Sequence, residues 1–123
     1  MKSINTVNEE SLIGHTISED SKIIRIVSEK SECISMLSDF FKIVSDSTRL
    51  RILMSVFSKP LCVLEISRLL DMSTSCVSHQ LKTLKSSNFV EAKRVGKNVY
   101  YSIVNCHVRE IIEMALAHIE EKH

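Results

Sequence analysis

The chain predicts a mainly α-helical domain carrying a single β-hairpin, and three observations lead there. Apolar residues recur at helical spacing over most of its length. Only the stretch from Phe89 to Val104 alternates apolar and polar positions as a strand pair does. The 123 residues include two glycines and one proline, so punctuating loops are few. With 44% hydrophobic residues the length suits one domain with a real core and is short for two. The expected order is α-α-α-α-β-β-α, with residues 1–19 as a mobile polar tail and residues 20–123 as the folded domain.

A first helix is expected near Asp20 to Glu29, carrying Ile23, Ile24, Ile26 and Val27. A second covers about Ser31 to Ser45, where Ile34, Leu37, Phe41 and Val44 form a stripe that Phe40 widens. After Asp46-Ser47-Thr48 a new stripe runs through Leu50, Leu53, Met54 and Phe57. Asp46 suits an N-cap, so this is either a separate helix or the second half of one bent helix. Pro60 is expected to open a short helix with Val63, Ile66, Leu69 and Leu70 on its apolar side. Asp71-Met72-Ser73 reads as a tight turn, with Ser73 as N-cap of the next helix. There Val77, Leu81 and Leu84 fall at i, i+4 and i+7 and make one buried stripe.

Short helix, tight turn and second helix make a helix-turn-helix. The start and the outer side of its second helix offer Ser73, Thr74, Ser75, Ser78, His79, Gln80, Lys82 and Lys85, the hydrogen-bonding and cationic groups that major-groove contact needs. In the hairpin Val90, Ala92 and Arg94 alternate with charged or outward positions, Val99, Tyr101 and Ile103 do the same on the return, and Gly96-Lys97-Asn98 form the tip. A basic hairpin directly after a helix-turn-helix is a wing, so the fold class is a winged helix-turn-helix. Lys93, Arg94 and Lys97 would reach a backbone phosphate or the minor groove. Charge agrees with this placement. The net charge is only +1, yet Ser73 to Tyr101 holds five basic residues against one acidic, whereas Met1 to Asp39 holds four against seven. Positive charge is concentrated where double-stranded DNA would lie.

From Asn105 to about Glu121 the chain is amphipathic, with Val108, Ile111, Ile112, Ala115, Leu116 and Ile119 on a wide apolar face. His107 and His118 lie eleven positions apart. On a helix they share nearly one face but stand roughly 16 Å apart, so a single helix cannot bring both to one ion. Two copies packed antiparallel can: Asn105 and His107 would form one half of a metal site, His118 and Glu121 the other. Asn105 also suits the N-cap of this helix. Cys106 points about 100° away from its neighbour His107 and is expected to be a buried thiol, or else a substitute for Asn105 if the helix start is irregular.

The four cysteines, Cys33, Cys62, Cys76 and Cys106, are widely spaced and expected to be reduced thiols. No apolar run approaches the roughly 20 residues needed to cross a bilayer, and no signal pattern opens the chain, so no membrane partner and a cytoplasmic location are expected. No glycine-rich phosphate loop, nucleophile motif or paired catalytic carboxylates occur, so an enzyme is not expected.

Four segments carry a family resemblance: D-S-T-R-L-R-I-L at Asp46 to Leu53, P-L-C-V-L-E-I at Pro60 to Ile66, S-C-V-S-H-Q-L-K-T-L at Ser75 to Leu84, and G-K-N-V-Y-Y-S-I at Gly96 to Ile103. Together, in this order, they resemble the ArsR/SmtB family of metal-sensing repressors, and the resemblance covers roughly Ser31 to the C-terminus. It implies a homodimer joined through its first and last helices. The apo form would bind an operator, and metal binding would release an efflux or sequestration gene.

The resemblance also implies two metal sites. One uses L-C-V-C-D on the short helix; here Cys62 matches the first cysteine, Leu64 replaces the second and Glu65 stands for the acid. Its remaining ligands would come from the N-terminal tail, which offers His15 but no cysteine before Cys33, so thiolate-rich sensing is disfavoured. The other, on the last helix, has the pattern D-x-H-x10-H-x-x-E/H, which Asn105, His107, His118 and Glu121 match apart from Asn for Asp. That site implies Zn²⁺. Co²⁺ and Ni²⁺ are alternatives, with His15 or His123 as an extra ligand. Two other readings are a redox repressor pairing Cys33 with Cys106, and a dimeric interaction module that does not bind DNA.

Overall fold

The computed structural model describes the backbone over residues 9–122 and side chains over residues 19–121. The chain divides into two units, Met1–Asp39 and Phe40–His123. In the first, helix α1 spans Glu9–Glu29 and helix α2, Ser31–Val44, begins. The helix expected near Asp20 therefore starts at Glu9, and of the expected tail only residues 1–8 lie outside the described residues. No proline interrupts Glu9–Glu29, and a lone glycine inside a helix costs only about 1 kcal/mol. The polar composition of that stretch hid the helix. Lys30 is a single-residue break that backbone hydrogen bonding spans: its N–H donates to the Ile26 carbonyl, and Ile34 N–H donates to the Lys30 carbonyl, both at 3.0 Å. Ile23, Ile24, Ile26, Val27, Ile34, Met36 and Leu37 are all exposed.

The second unit contains the core. The end of α2 supplies Phe40, Ile43 and Val44, which pack against it, whereas Phe41 is exposed. The stripe read from the sequence is thus rotated, and the cause is an aromatic contact: Phe40 stacks on Phe89 with ring centroids 4.8 Å apart. Helix α3, Ser47–Ser55, is a separate helix. Asp46 is extended there and its Oδ2 accepts from Arg49 N–H at 2.8 Å, which ends α2 and caps α3. Ile52, Leu53 and Val56 are buried, and Leu50, Met54 and Phe57 pack alongside.

Pro60 does not open a helix. It precedes a two-residue strand β1, Leu61–Cys62, and helix α4 follows at Val63–Leu70. Strand β1 pairs antiparallel with the return strand of the hairpin through Leu61↔Tyr101 and Cys62↔Tyr100. A strand of two residues is too short for alternation to reveal it. Cys62 N–H donates to Glu65 Oε1 at 3.0 Å, which holds the start of α4. Asp71 ends α4 in the left-handed conformation, φ 54°. The buried Ser67 is satisfied locally, since its hydroxyl donates to the Met72 carbonyl and its carbonyl accepts from Met72 N–H.

Helix α5, Thr74–Ser86, begins as expected, with Ser73 Oγ accepting from Cys76 N–H at 3.1 Å. Val77, Leu81 and Leu84 are fully buried. Strands β2, Val90–Val95, and β3, Asn98–Ile103, form the hairpin in the register Val90↔Ile103 to Val95↔Asn98. Its two-residue connection puts Gly96 at φ +65°, where glycine is unstrained. The sheet order is β1-β3-β2. Helix α6, Cys106–Lys122, buries Val108 and Ile112 and leaves Ile111, Met114, Leu116 and Ile119 exposed. Arg109 ties α6 to the end of α3: its Nη1 donates to the Phe57 carbonyl at 3.1 Å, its guanidinium lies 5.8 Å from the Phe57 ring centroid, and its Nε donates to Glu113 at 2.9 Å. Among the described residues no helix is long and apolar enough to cross a membrane.

Candidate functional site

The basic face is built by α5 and the hairpin. Burying Val77, Leu81 and Leu84 turns the opposite side of α5 to solvent. Ser73, Thr74, Ser75, Ser78, His79, Lys82 and Lys85 are exposed there, and Gln80 is half-buried. Ser73 Oγ accepts the Cys76 N–H at 3.1 Å and lies 3.5 Å from Ser75 Oγ, so the two hydroxyls stand together at the start of α5. On the hairpin Lys93, Arg94 and Lys97 are exposed. Arg94 Nε donates to the Gly96 carbonyl at 3.4 Å, which folds that side chain over the turn. Cys62, Thr74 and Lys97 line a shallow cleft between the start of α4, the start of α5 and the hairpin tip. Glu65, read as an acidic ligand, serves as a cap: its hydrogen bond from Cys62 N–H holds its carboxyl below the ordinary value.

The second face lies on α6. Asn105, His107, His118 and Glu121 are all exposed. Asn105 Oδ1 accepts from His107 N–H at 3.0 Å, so Asn105 caps the helix. One lone pair of that neutral amide oxygen remains for an ion. Cys106 is exposed, not buried, and its ligand atom lies within 4.8 Å of those of His107 and Glu110. The sequence reading missed Glu110. The signal was present as C-H-x-x-E: on a helical wheel Glu110 sits about 40° from Cys106 and about 60° from His107, between the two. Counting donors only from histidine to histidine passes over it.

Cys33 is exposed in the first unit and Cys76 is half-buried on α5. The side chains of His15 and His123 lie outside the described residues.

A helix-turn-helix followed directly by a basic hairpin defines a winged-helix, DNA-binding transcriptional regulator. The chain belongs to the arsR family of bacterial regulatory proteins, whose family model matches residues 46–92, from the α3 cap into β2. A transcriptional repressor SmtB homolog of Synechocystis sp. is 37% identical over 84 residues, which are 68% of this chain and 64% of that protein. The cadmium resistance transcriptional regulatory protein CadC of Listeria innocua is 39% identical over 85 residues, 68% of this chain and 71% of that one. The chain thus spans just under two thirds of the Synechocystis repressor. Among solved structures, the homodimeric winged helix-turn-helix DNA-binding domain of Mb0332 from Mycobacterium bovis superposes with a TM-score of 0.70 at 26% identity, covering 76% of this chain and 86% of that one. The family is one of transcriptional regulators, not enzymes.

Proposed function

We propose that the chain works as a cytoplasmic, homodimeric, metal-responsive transcriptional repressor. The apo dimer presents two copies of α5 and of the wing to a two-fold operator. A divalent ion held across paired α6 helices weakens that complex and releases a metal efflux or sequestration gene. Asn105 and His107 of one protomer and the partner subunit's His118 and Glu121 are the donors. Two imidazoles with oxygen donors suit Zn²⁺ best. Co²⁺ and Ni²⁺ are the alternatives, with His15 or His123 as a further donor for higher coordination. Cys62 and Glu65 are left with structural roles.

The observation that carries this reading is the placement of the two histidines on an exposed, partly apolar face. Met114 is 74% exposed, and helical geometry puts it within about 40° of both His107 and His118. Ile111 is exposed beside them. A second α6 covering these side chains removes apolar area from water and brings opposite ends of two helices together. The similar Mycobacterium bovis domain is homodimeric, which supports a dimer here.

The wing and the metal face are nearly contiguous in sequence: β3 ends at Ile103 and α6 begins at Cys106. Reading a two-fold operator requires recognition helices about 34 Å apart. The ion supplies a cross-link that fixes the angle between the α6 helices, and with it the distance between wings. A coupling of about 1–3 kcal/mol is typical of such linkage. The test is operator affinity with and without Zn²⁺, for the parent and for His118→Ala. Zinc should weaken parent binding by about fivefold or more and leave His118→Ala unmoved. Unchanged parent affinity overturns the reading.

A further inference from the structure

We propose that Cys106, His107 and Glu110 form a three-donor half-site at the start of α6, selecting a thiolate-tolerant divalent ion of the zinc class over Ni²⁺. The inference rests on the metal-sensing reading above for its fourth ligand, the partner subunit's His118, and it puts Cys106 and Glu110 in the places that reading gave to Asn105 and the partner subunit's Glu121.

Three donor types meet across just over one helical turn, their ligand atoms within 4.8 Å of one another. Donors on a tetrahedral zinc ion stand roughly 3.5 Å apart, so closing the cluster requires a contraction of about 1 Å. All three side chains are exposed, and rotamer changes achieve that without disturbing the buried Val108 and Ile112. None of the three side chains is engaged in a hydrogen bond or ion pair among the described residues. The neighbouring acid on the next turn, Glu113, is taken by Arg109 at 2.9 Å. Asn105 Oδ1 already accepts the His107 N–H, so an ion would share that neutral oxygen with the helix cap.

Electrostatics favour the same donors. The N-terminus of a helix carries positive partial charge, so a cation there is repelled unless anionic ligands offset it. A thiolate and a carboxylate do so; the neutral amide of Asn105 does not. Sulfur, nitrogen and oxygen together suit zinc, whereas a single thiolate adds little for an octahedral ion built on nitrogen and oxygen. Binding displaces the thiol proton to solvent. Three protein donors leave one tetrahedral position for the partner subunit's His118.

The experiment is a Co²⁺ titration of the full-length protein, followed by thiolate-to-cobalt charge transfer in the near ultraviolet and intense tetrahedral d–d bands. The parent, Cys106→Ser, Glu110→Gln and His118→Ala are compared, with circular dichroism to check folding. The parent should show the charge-transfer band. Cys106→Ser should lose it and bind about tenfold or more weakly, and Glu110→Gln should weaken binding with the band retained. His118→Ala should keep the band. Metal should also protect Cys106 from alkylation in the parent.

Parent binding without a charge-transfer band, or unchanged affinity in Cys106→Ser, overturns the half-site. If His107→Ala and His118→Ala abolish binding in that case, the metal-sensing reading survives alone. If the half-site behaves as expected but Zn²⁺ leaves operator affinity unchanged, the sensing reading falls and the half-site stands.

Discussion

Asn105 Oδ1 accepts a hydrogen bond from the backbone N–H of His107 at 3.0 Å, so the residue that joins the wing to α6 is the cap of the helix that carries the candidate metal donors. Replacing Asn105 with Ala should cost about 1 kcal/mol in chemical denaturation, as loss of an N-cap does. Asn105→Asp should keep the cap and add a favourable charge at the helix N-terminus, leaving stability equal or slightly higher. An alanine variant as stable as the parent would show that the hydrogen bond carries no energy.

Arg109 should matter through Phe57 more than through Glu113. Its guanidinium satisfies the Phe57 carbonyl and lies over that ring, whereas the ion pair with Glu113 has side chains 41% and 51% exposed. Exposed pairs contribute little, while a charged hydrogen bond to a partly buried carbonyl contributes more. Arg109→Ala should destabilise by about 1–2 kcal/mol and Glu113→Ala by less than about 0.5 kcal/mol in matched urea melts. Equal losses would contradict this division.

Gly96 turns the hairpin at φ +65°, and a Cβ placed there meets no heavy atom within 4 Å. Any penalty on substitution is therefore backbone strain, not collision. Gly96→Ala should lose about 1 kcal/mol, and Gly96→Asn, which tolerates the left-handed region, should lose less. Thermal melts of the two variants check the order.

The legible parts of the fold are those with a local period. Val77, Leu81 and Leu84 repeat at helical spacing, and all three are fully buried. The hairpin alternates, and β2 and β3 pair where the alternation placed them. Features that depend on distant contacts were not legible. Phe40 and Phe41 are adjacent aromatics, and only the stack of Phe40 on Phe89 decides which one faces the core. Strand β1 exists because Leu61 and Cys62 meet Tyr101 and Tyr100 across the sheet. On the candidate site, the spacing of His107 and His118 was readable, while the convergence of Cys106 and Glu110 on His107 depended on side-chain directions in the first turn of α6.

Glu65 gives a pH dependence with a definite sign. Its hydrogen bond from Cys62 N–H lowers its pKa from the ordinary 4.5. A lowered folded-state value means that this stabilisation is complete above about 4.5 and is lost as pH falls through the lowered value. The parent should be slightly more stable than Glu65→Gln near neutral pH, and the difference should vanish in acid well below 4.5. A gap that persists or grows in acid contradicts the assignment.

The proposed function requires the α6 metal face and the operator face to be energetically linked. Linkage is reciprocal, so DNA must weaken zinc binding by the factor by which zinc weakens DNA binding. The direct measurement is the zinc affinity of the free dimer against that of the operator-bound dimer, by competition with a chelator of known strength. A zinc affinity about fivefold or more weaker on the operator is the predicted result. Equal affinities in the two states would contradict the account.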